Sequence, residues 1–102
     1  MAPKKQKLSQ ENAIEVLKGV IDPELNIDIW TLGLIYEINI DKKNKIDIKM
    51  TFTSPMCPYG PVLLETIKRE LAQKGFIDTQ VEVVFTPVWQ PTQEIKMMLG
   101  LA

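Results

Sequence analysis

The residue with the clearest capacity for chemistry is Cys57, the only cysteine among the 102 residues of the chain. It lies in the segment 50–61, MTFTSPMCPYGP, which also holds three of the seven prolines. Apolar residues alternate up to Phe52, as in a half-buried strand, and follow helical spacing after Pro61. We therefore predict that Cys57 occupies a stiff loop between a strand and a helix.

The expected start of that helix bears on the reactivity of the thiol. Pro61 suits the first turn of a helix, because the N–H that proline lacks would have no partner there and its φ is already near helical. The helix is thus predicted to begin at Gly60 or Pro61. A thiol near a helix N-terminus lies in the positive field of the helix dipole, which favours the thiolate that binds metals or attacks electrophiles. The alternative, a small buried hydrophobic residue, stays open at this point.

Composition excludes several classes of function. The chain has no histidine, so histidine-assisted catalysis and histidine metal sites are excluded. A single cysteine excludes an internal disulfide framework. The net charge of -1 gives no general attraction to nucleic acid or anionic membranes. No apolar run approaches the ~20 residues of a membrane span, and no secretory signal is evident. We expect a cytoplasmic protein that binds neither nucleic acid nor membrane.

Residues 1–8 are predicted to be a disordered basic lead-in, and residues 9–102 a single domain. Ser9 is a plausible N-cap of a first helix, which must end before Asp22 because the residue before a proline avoids helical dihedral angles. The apolar residues of this first helix are expected to be Ala13, Ile14, Leu17, Val20 and Ile21. The connector 22–33 follows the helix.

Alternating patterns then predict a hairpin of strands 34–41 and 45–52 around a polar turn at 41–44. A second helix ends near Gly75, a third strand covers 79–86, and a short C-terminal helix carries Ile95, Met98 and Leu99. The order α-β-β-α-β plus a C-terminal helix predicts an α+β fold, a two-layer sandwich with helices on one face of a small mixed sheet. The inward residues of the strands are predicted to be Leu34, Tyr36, Ile38 and Ile40, then Ile46, Ile48, Met50 and Phe52, then Val81, Val83 and Phe85.

This topology brings three irregular segments together. The helix between the second and third strands makes those strands parallel through a right-handed crossover. Their carboxyl ends, followed by the cysteine loop and by Pro87-Val88-Trp89, then point the same way, and the connector 22–33 enters at the same edge. Loops held at one edge by rigid elements commonly form a site. Thr51 and Thr53 lie beside it, on the strand face opposite Phe52.

Several motifs together resemble a known family. They are Asp22-Pro23-Glu24, Leu32-Gly33-Leu34-Ile35-Tyr36, Met50-Thr51-Phe52-Thr53-Ser54 with Cys57-Pro58, Pro87-Val88-Trp89 and Leu99-Gly100-Leu101. With these motifs in order, the chain resembles the metal–sulfur cluster assembly family that includes SufT-like and PaaD-like proteins. The resemblance implies a small α+β domain that acts in iron–sulfur protein maturation.

The resemblance also implies roles for individual residues. Cys57 is the expected functional thiol and metal ligand, and Asp22 is a second candidate metal ligand, although a carboxylate beside a proline is more commonly a turn device. The family usually has an aspartate where this chain has Thr31, so any contribution of that carboxylate is lost or replaced here. The residues expected to form the rest of the site are Pro23, Glu24, Thr51, Thr53, Pro58 and Trp89.

The number of ligands limits the mechanism. Iron–sulfur clusters take about four thiolate ligands, so one chain with one thiol would need further ligands for transient iron or a cluster. These could come from a second subunit, a partner protein, a small thiol such as glutathione, or carboxylates. The expected partners are iron–sulfur assembly proteins and client apoproteins, with a homodimer as the expected assembly. We expect no enzymatic activity, because a thiol redox enzyme would lack a resolving cysteine. The alternative is an adaptor that holds no metal and links assembly machinery to its clients.

Overall fold

The computed structural model describes residues 8–53 and 59–100. Residues 1–7 of the predicted lead-in 1–8 and the predicted site residues Cys57 and Pro58 therefore lie outside the described residues. Three helices and five strands are formed within the described part of the chain. In chain order the elements are α1 (Gln10–Leu17), β1 (Ile21–Asp22), β2 (Ile27–Asp28), β3 (Ile35–Ile40), β4 (Lys45–Met50), α2 (Gly60–Lys74), β5 (Asp78–Val83) and α3 (Gln93–Met98). The predicted α+β order is confirmed, with the short hairpin β1–β2 added inside the connector.

The main sheet has the strand order β3-β4-β5. β3 runs antiparallel to β4, with a bulge between Ile35 and Glu37. β5 runs parallel to β4, in a register that pairs Met50 with Val83. A mixed sheet results, because α2 returns the chain across one face before β5 begins.

One face of the sheet builds the core together with the helices. Alternate residues of β3 and β4 are buried there, and α2 adds a stripe at helical spacing. The opposite face is polar and exposed, as expected for a sheet with a single covering layer. The buried contributors from these three elements are Ile38, Ile46, Ile48, Met50, Leu63, Ile67 and Leu71.

Helix boundaries follow from local chemistry. The hydroxyl of Ser9 accepts a hydrogen bond from the amide of Asn12, and Oδ1 of Asn12 accepts one from the amide of Ser9. Pro61 lies in the first turn of α2, which starts at Gly60 as predicted. Gly75 ends α2 with a φ of 123°, a conformation that suits glycine. No helix of the described segments is long and apolar enough to cross a bilayer.

Three predicted boundaries are wrong. The first helix ends at Leu17, and Ile21 is instead a strand residue with 48% of its surface exposed, because it pairs with Asp28 in the unpredicted hairpin. β5 ends at Val83, where its partner β4 also ends, so Phe85 is 42% exposed instead of inward. β4 ends at Met50 and not at residue 52, and Phe52 instead packs beside Gly60. The C-terminal helix α3 carries Ile95 and Met98 as predicted, with Ile95 buried and Met98 54% exposed.

Candidate functional site

The loop that contains Cys57 joins the end of β4 to the start of α2, and the described residues show how both ends are fixed. The carbonyl of Met50 accepts a hydrogen bond of 2.7 Å from the amide of Val84. The amide of Thr51 donates one of 2.8 Å to the carbonyl of Leu34. The end of β4 is therefore held from both sides by backbone hydrogen bonds.

The two ends of the loop also pack against each other. Gly60 is buried, and a Cβ placed on it would lie 2.9 Å from Cε2 of Phe52, which is closer than real Cβ contacts. The ring of Phe52 contacts Phe85 edge-on, with 6.4 Å between the ring centroids. Gly60 begins a helix and has no positive φ. The requirement for glycine is therefore one of space, since Phe52 occupies the volume of its missing side chain.

The segment after β5 crosses to the connector, as the topology predicted. Nε1 of Trp89 donates a hydrogen bond of 2.6 Å to the carbonyl of Leu32. The hydroxyl of Tyr36 donates one of 2.8 Å to the carbonyl of Pro87, which follows a cis peptide bond. Two of the motifs that carry the family resemblance thus contact each other directly. The sequence reasoning missed the hydroxyl of Tyr36, because it treated that residue as part of an apolar strand face.

The acidic motif at the start of the connector is engaged in a turn. Asp22 is only 1% exposed, and its Oδ1 accepts hydrogen bonds from the amides of Glu24 at 2.7 Å and Leu25 at 3.2 Å. This is the bonding pattern of an aspartate that closes a local turn. Pro23 and Glu24 are exposed on that turn. The carboxylate of Asp22 is therefore already committed to shaping the connector.

The position that departs from the family pattern is also stabilised by an aspartate. The amide of Thr31 donates a hydrogen bond of 2.8 Å to Oδ2 of Asp28. The sequence reasoning did not single out Asp28. Its signal would have been an aspartate three residues before Thr31, a spacing at which the carboxylate can accept from the backbone of a turn.

The two threonines near the loop differ in their surroundings. Thr51 is 1% exposed, and its hydroxyl donates a long hydrogen bond of 3.4 Å to the carbonyl of Phe52. Thr53 is half-buried. Neither belongs to β4, which ends one residue before Thr51. Thr51 therefore lies in the packed region immediately after β4, and Thr53 lies where the loop begins.

Metal-binding capacity within the described residues is limited. In residues 8–53 and 59–100, no group of three His, Cys, Asp or Glu side chains could hold a metal ion. The only thiol of the chain is Cys57, and there is no histidine. The described residues by themselves therefore offer no three-ligand metal site.

The comparisons with known proteins point to one family. A family model described as "Iron-sulfur cluster assembly protein" matches residues 10–83, a range that includes Asp22 and Cys57 but not Trp89. The Staphylococcus aureus Fe-S protein maturation auxiliary factor SufT is 46% identical over 87 residues, covering 81% of this chain and 99% of that protein. The Bacillus subtilis auxiliary factor YitW is 36% identical over 96 residues, covering 90% of this chain and 94% of that protein.

A solved structure supports the fold. A conserved hypothetical protein from Thermotoga maritima superposes with a TM-score of 0.83 at 34% identity, covering 94% of this chain and 98% of that one. The family match extends over most of the chain and the structural likeness over nearly all of it. The chain therefore belongs to the iron–sulfur cluster assembly protein family, in its SufT-like branch.

Proposed function

We propose that this protein is an auxiliary factor of iron–sulfur protein maturation that holds iron or a cluster as transient cargo through Cys57. The observation that carries the proposal is the family match across residues 10–83, which contains the only thiol of the chain. The named relatives are maturation auxiliary factors, so the proposal assigns handling of cargo and no catalysis. We place the protein in the cytoplasm, where a lone thiol stays reduced.

The setting of the loop supports a role for the thiol. Cys57 precedes the first residue of α2 by three positions, and α2 is a helix of 15 residues with its N-terminus at that end. Both flanks of the loop are fixed by the packing of Phe52 on Gly60 and by the hydrogen bonds of Met50 and Thr51. A fixed helix N-terminus favours an anionic ligand nearby.

Sharing of the cargo follows from the count of ligands. A cluster takes about four thiolates, and this chain supplies one. A second copy, a partner protein or a small thiol would supply the others, and incomplete ligation by each one eases release. We propose a homodimer bridged by cargo, with assembly proteins and client apoproteins as the exchange partners.

The other predicted site residues are given supporting roles in this proposal. Asp22 is the weaker candidate ligand, because Oδ1 already accepts two backbone amides. Trp89 would shape the site by holding the C-terminal segment against Leu32. The remaining proposed contributors to the walls of the site are Pro23, Glu24, Thr51, Thr53 and Pro58.

Anaerobic reconstitution tests the proposal. The parent protein, Cys57→Ala and the control Gln73→Ala, an exposed change near the far end of α2, are incubated with ferrous iron and sulfide and then desalted. We expect iron, sulfide and visible absorbance to remain with the parent and the control and to be lost from Cys57→Ala. If the parent retains no more iron than Cys57→Ala, binding of cargo through the thiol is refuted.

A second candidate function is an adaptor that carries no metal. It is favoured by the observation that the described residues offer no three-ligand site. Native mass spectrometry with an assembly protein separates the two functions. An adaptor predicts that Cys57→Ser binds that protein like the parent and that neither form carries iron. A cargo carrier predicts that iron and a cargo-dependent dimer occur only in the parent.

A further inference from the structure

The main sheet has two edges, and the edge at β3 is covered. The amide of Asp41 donates a hydrogen bond of 3.0 Å to the carbonyl of Lys45. Because backbone groups alternate in direction along an antiparallel strand, those of Ile38, three residues earlier, point away from β4. The outward carbonyl of Ile38 accepts a hydrogen bond of 2.8 Å from Nε2 of Gln10 at the start of α1. A strand added here would have to displace that side chain.

The edge at β5 is different. The amide of Val84 donates to Met50 of β4, so the backbone groups of Thr79, Val81 and Val83, at alternate positions, point away from the sheet. No described strand pairs with this side of β5. An outward row of N–H and C=O groups is the template on which an extended polypeptide adds a strand.

The open face of the sheet shows which side chains would suit such a strand. The strand register arranges two rows of charges whose sign alternates from one strand to the next. These rows consist of Glu37, Lys49 and Glu82, and of Asp41, Lys45 and Asp78. Both end at β5 with a carboxylate, whereas the row between them, Asn39, Asp47 and Gln80, ends there with a neutral amide. Basic side chains on a fourth strand would continue the alternation, and opposite charges across strands are stabilising.

The other face of β5 sets a second requirement. Val81 and Val83 are half-buried and pack against the core, so a neighbouring strand would place apolar side chains beside them. Beyond the end of β5 the exposed side chains are also apolar, with Phe85 42% and Val88 71% exposed. The edge therefore calls for alternating basic and apolar residues.

We propose that the free edge of β5 is a docking site for an extended segment of a partner polypeptide with basic residues at alternate positions and apolar residues between them. A second copy of this chain fits less well, because β5 carries Asp78 and Glu82 and no basic residue. The proposal supplies a surface for the partner that the proposed function requires and rests on that function only for the existence of a partner. Docking itself does not need Cys57.

The test measures fluorescence anisotropy of a labelled eight-residue peptide of alternating lysine and valine. Two further peptides are N-methylated, one at the lysines and one at the valines, so each loses the N–H groups along one edge only. Strand addition predicts that one isomer binds like the parent peptide and the other at least about tenfold more weakly, since its amides face β5. Equal affinities of the two isomers would overturn the proposal.

Protein variants test the charge argument. Glu82→Lys should lower the affinity for the parent peptide about threefold through the loss of a cross-strand pair of opposite charges. Glu65→Lys, an exposed change of equal charge on α2, should leave the affinity unchanged. Equal losses in both variants would mean general attraction and would contradict docking at β5. Cys57→Ala should bind the peptide like the parent, so failure of docking and failure of cargo binding are observed separately.

Discussion

The two ends of the sheet are held together in different ways. At the turn end, formed by residues 41–44 and Gly75, the hairpin closes itself: Oδ1 of Asp41 accepts hydrogen bonds from the amides of Lys43 at 2.7 Å and Lys45 at 3.0 Å. At the loop end, formed by Met50, Gly60 and Val83, side-chain hydrogen bonds join residues 51 and 57 positions apart. The turn is thus closed by its own local hydrogen bonds, to which Asn44 adds bonds with Leu8 and Ile77. The loop end is instead joined by side chains that link distant segments.

This difference predicts where substitutions matter. A local turn forms with little loss of chain entropy, and its removal affects one hairpin. A contact between distant segments must offset the entropy of closing a long loop, so it exists only when the whole fold is in place. Substitutions at the loop end should therefore change global stability and the surroundings of the cysteine loop together, whereas those at the turn end should change stability slightly.

The largest effect is expected for Trp89→Ala. This half-buried indole anchors the C-terminal segment on Leu32, and its loss should cost about 2–3 kcal/mol, below the ~3–5 kcal/mol of a fully buried tryptophan. Urea unfolding measures the loss. Trp89→Phe is the comparison that removes the hydrogen bond and only part of the ring, with an expected cost between about 1 kcal/mol and that of Trp89→Ala. Equal stability of parent and Trp89→Ala would show that the loop end does not depend on this anchor.

Gly60→Ala should have the next largest effect. The added methyl group would meet the ring of Phe52, and overpacking of this kind costs about 1–3 kcal/mol, more than alanine gains in helix propensity. The measurement is urea unfolding, together with the rate at which iodoacetamide alkylates Cys57. Phe52→Leu in the same chain should restore part of the lost stability. No coupling between the two substitutions would contradict the packing argument.

Tyr36→Phe sharpens the comparison at smaller scale. The hydroxyl that donates to Pro87 is lost without a change of shape, and we expect a cost of about 0.5–1 kcal/mol. When it is introduced into Trp89→Phe, Tyr36→Phe should lower the free energy of unfolding by less, because both hydrogen bonds hold the same C-terminal segment. Fully additive losses in thermal unfolding would mean that the two anchors act independently.

The smallest effect is expected at the turn end, for Asp41→Asn. The hydrogen bond from the amide of Lys45, followed by that from Lys43, lowers the pKa of Asp41 below its ordinary value of 3.8. Because the folded-state pKa is the lower one, this stabilisation is complete above pH 3.8 and is lost as the pH falls through the folded-state pKa. The melting temperature of Asp41→Asn should lie slightly below that of the parent at pH 7. A difference that persists unchanged at pH 2 would contradict this cause.

The same comparison explains what the sequence could predict. The hairpin turn at 41–44, the start of α2 at Gly60 and its end at Gly75 depend on residue types within a few positions, and all were predicted. The meeting of the connector, the segment after β5 and the described flanks of the cysteine loop followed from topology alone. The particular contacts there did not, because the bonds of Tyr36 and Trp89 depend on side-chain directions that only the folded chain defines.

The features that the sequence did not predict also depend on how the chain packs in three dimensions. The hairpin β1–β2 has two residues in each strand, too few for an alternating pattern to be recognised. Asp22 could be predicted as a turn residue from its neighbour Pro23, but its nearly complete burial depends on how the connector folds back on the core. Sequence patterns thus predicted the elements and their order, and tertiary packing decided their edges.

Leu8, the first described residue, is attached at the Gly75 end of α2, and this position has a practical consequence. Leu8 donates its amide to Oδ1 of Asn44 and lies near Gly75, at the opposite end of α2 from Gly60. The 15 residues of α2 separate these points by roughly 22 Å. An affinity tag or surface linker placed ahead of Leu8 would therefore be joined to the described fold at the end of α2 remote from Gly60. Immobilised protein should accordingly keep the Gly60 end of α2 accessible to the solution.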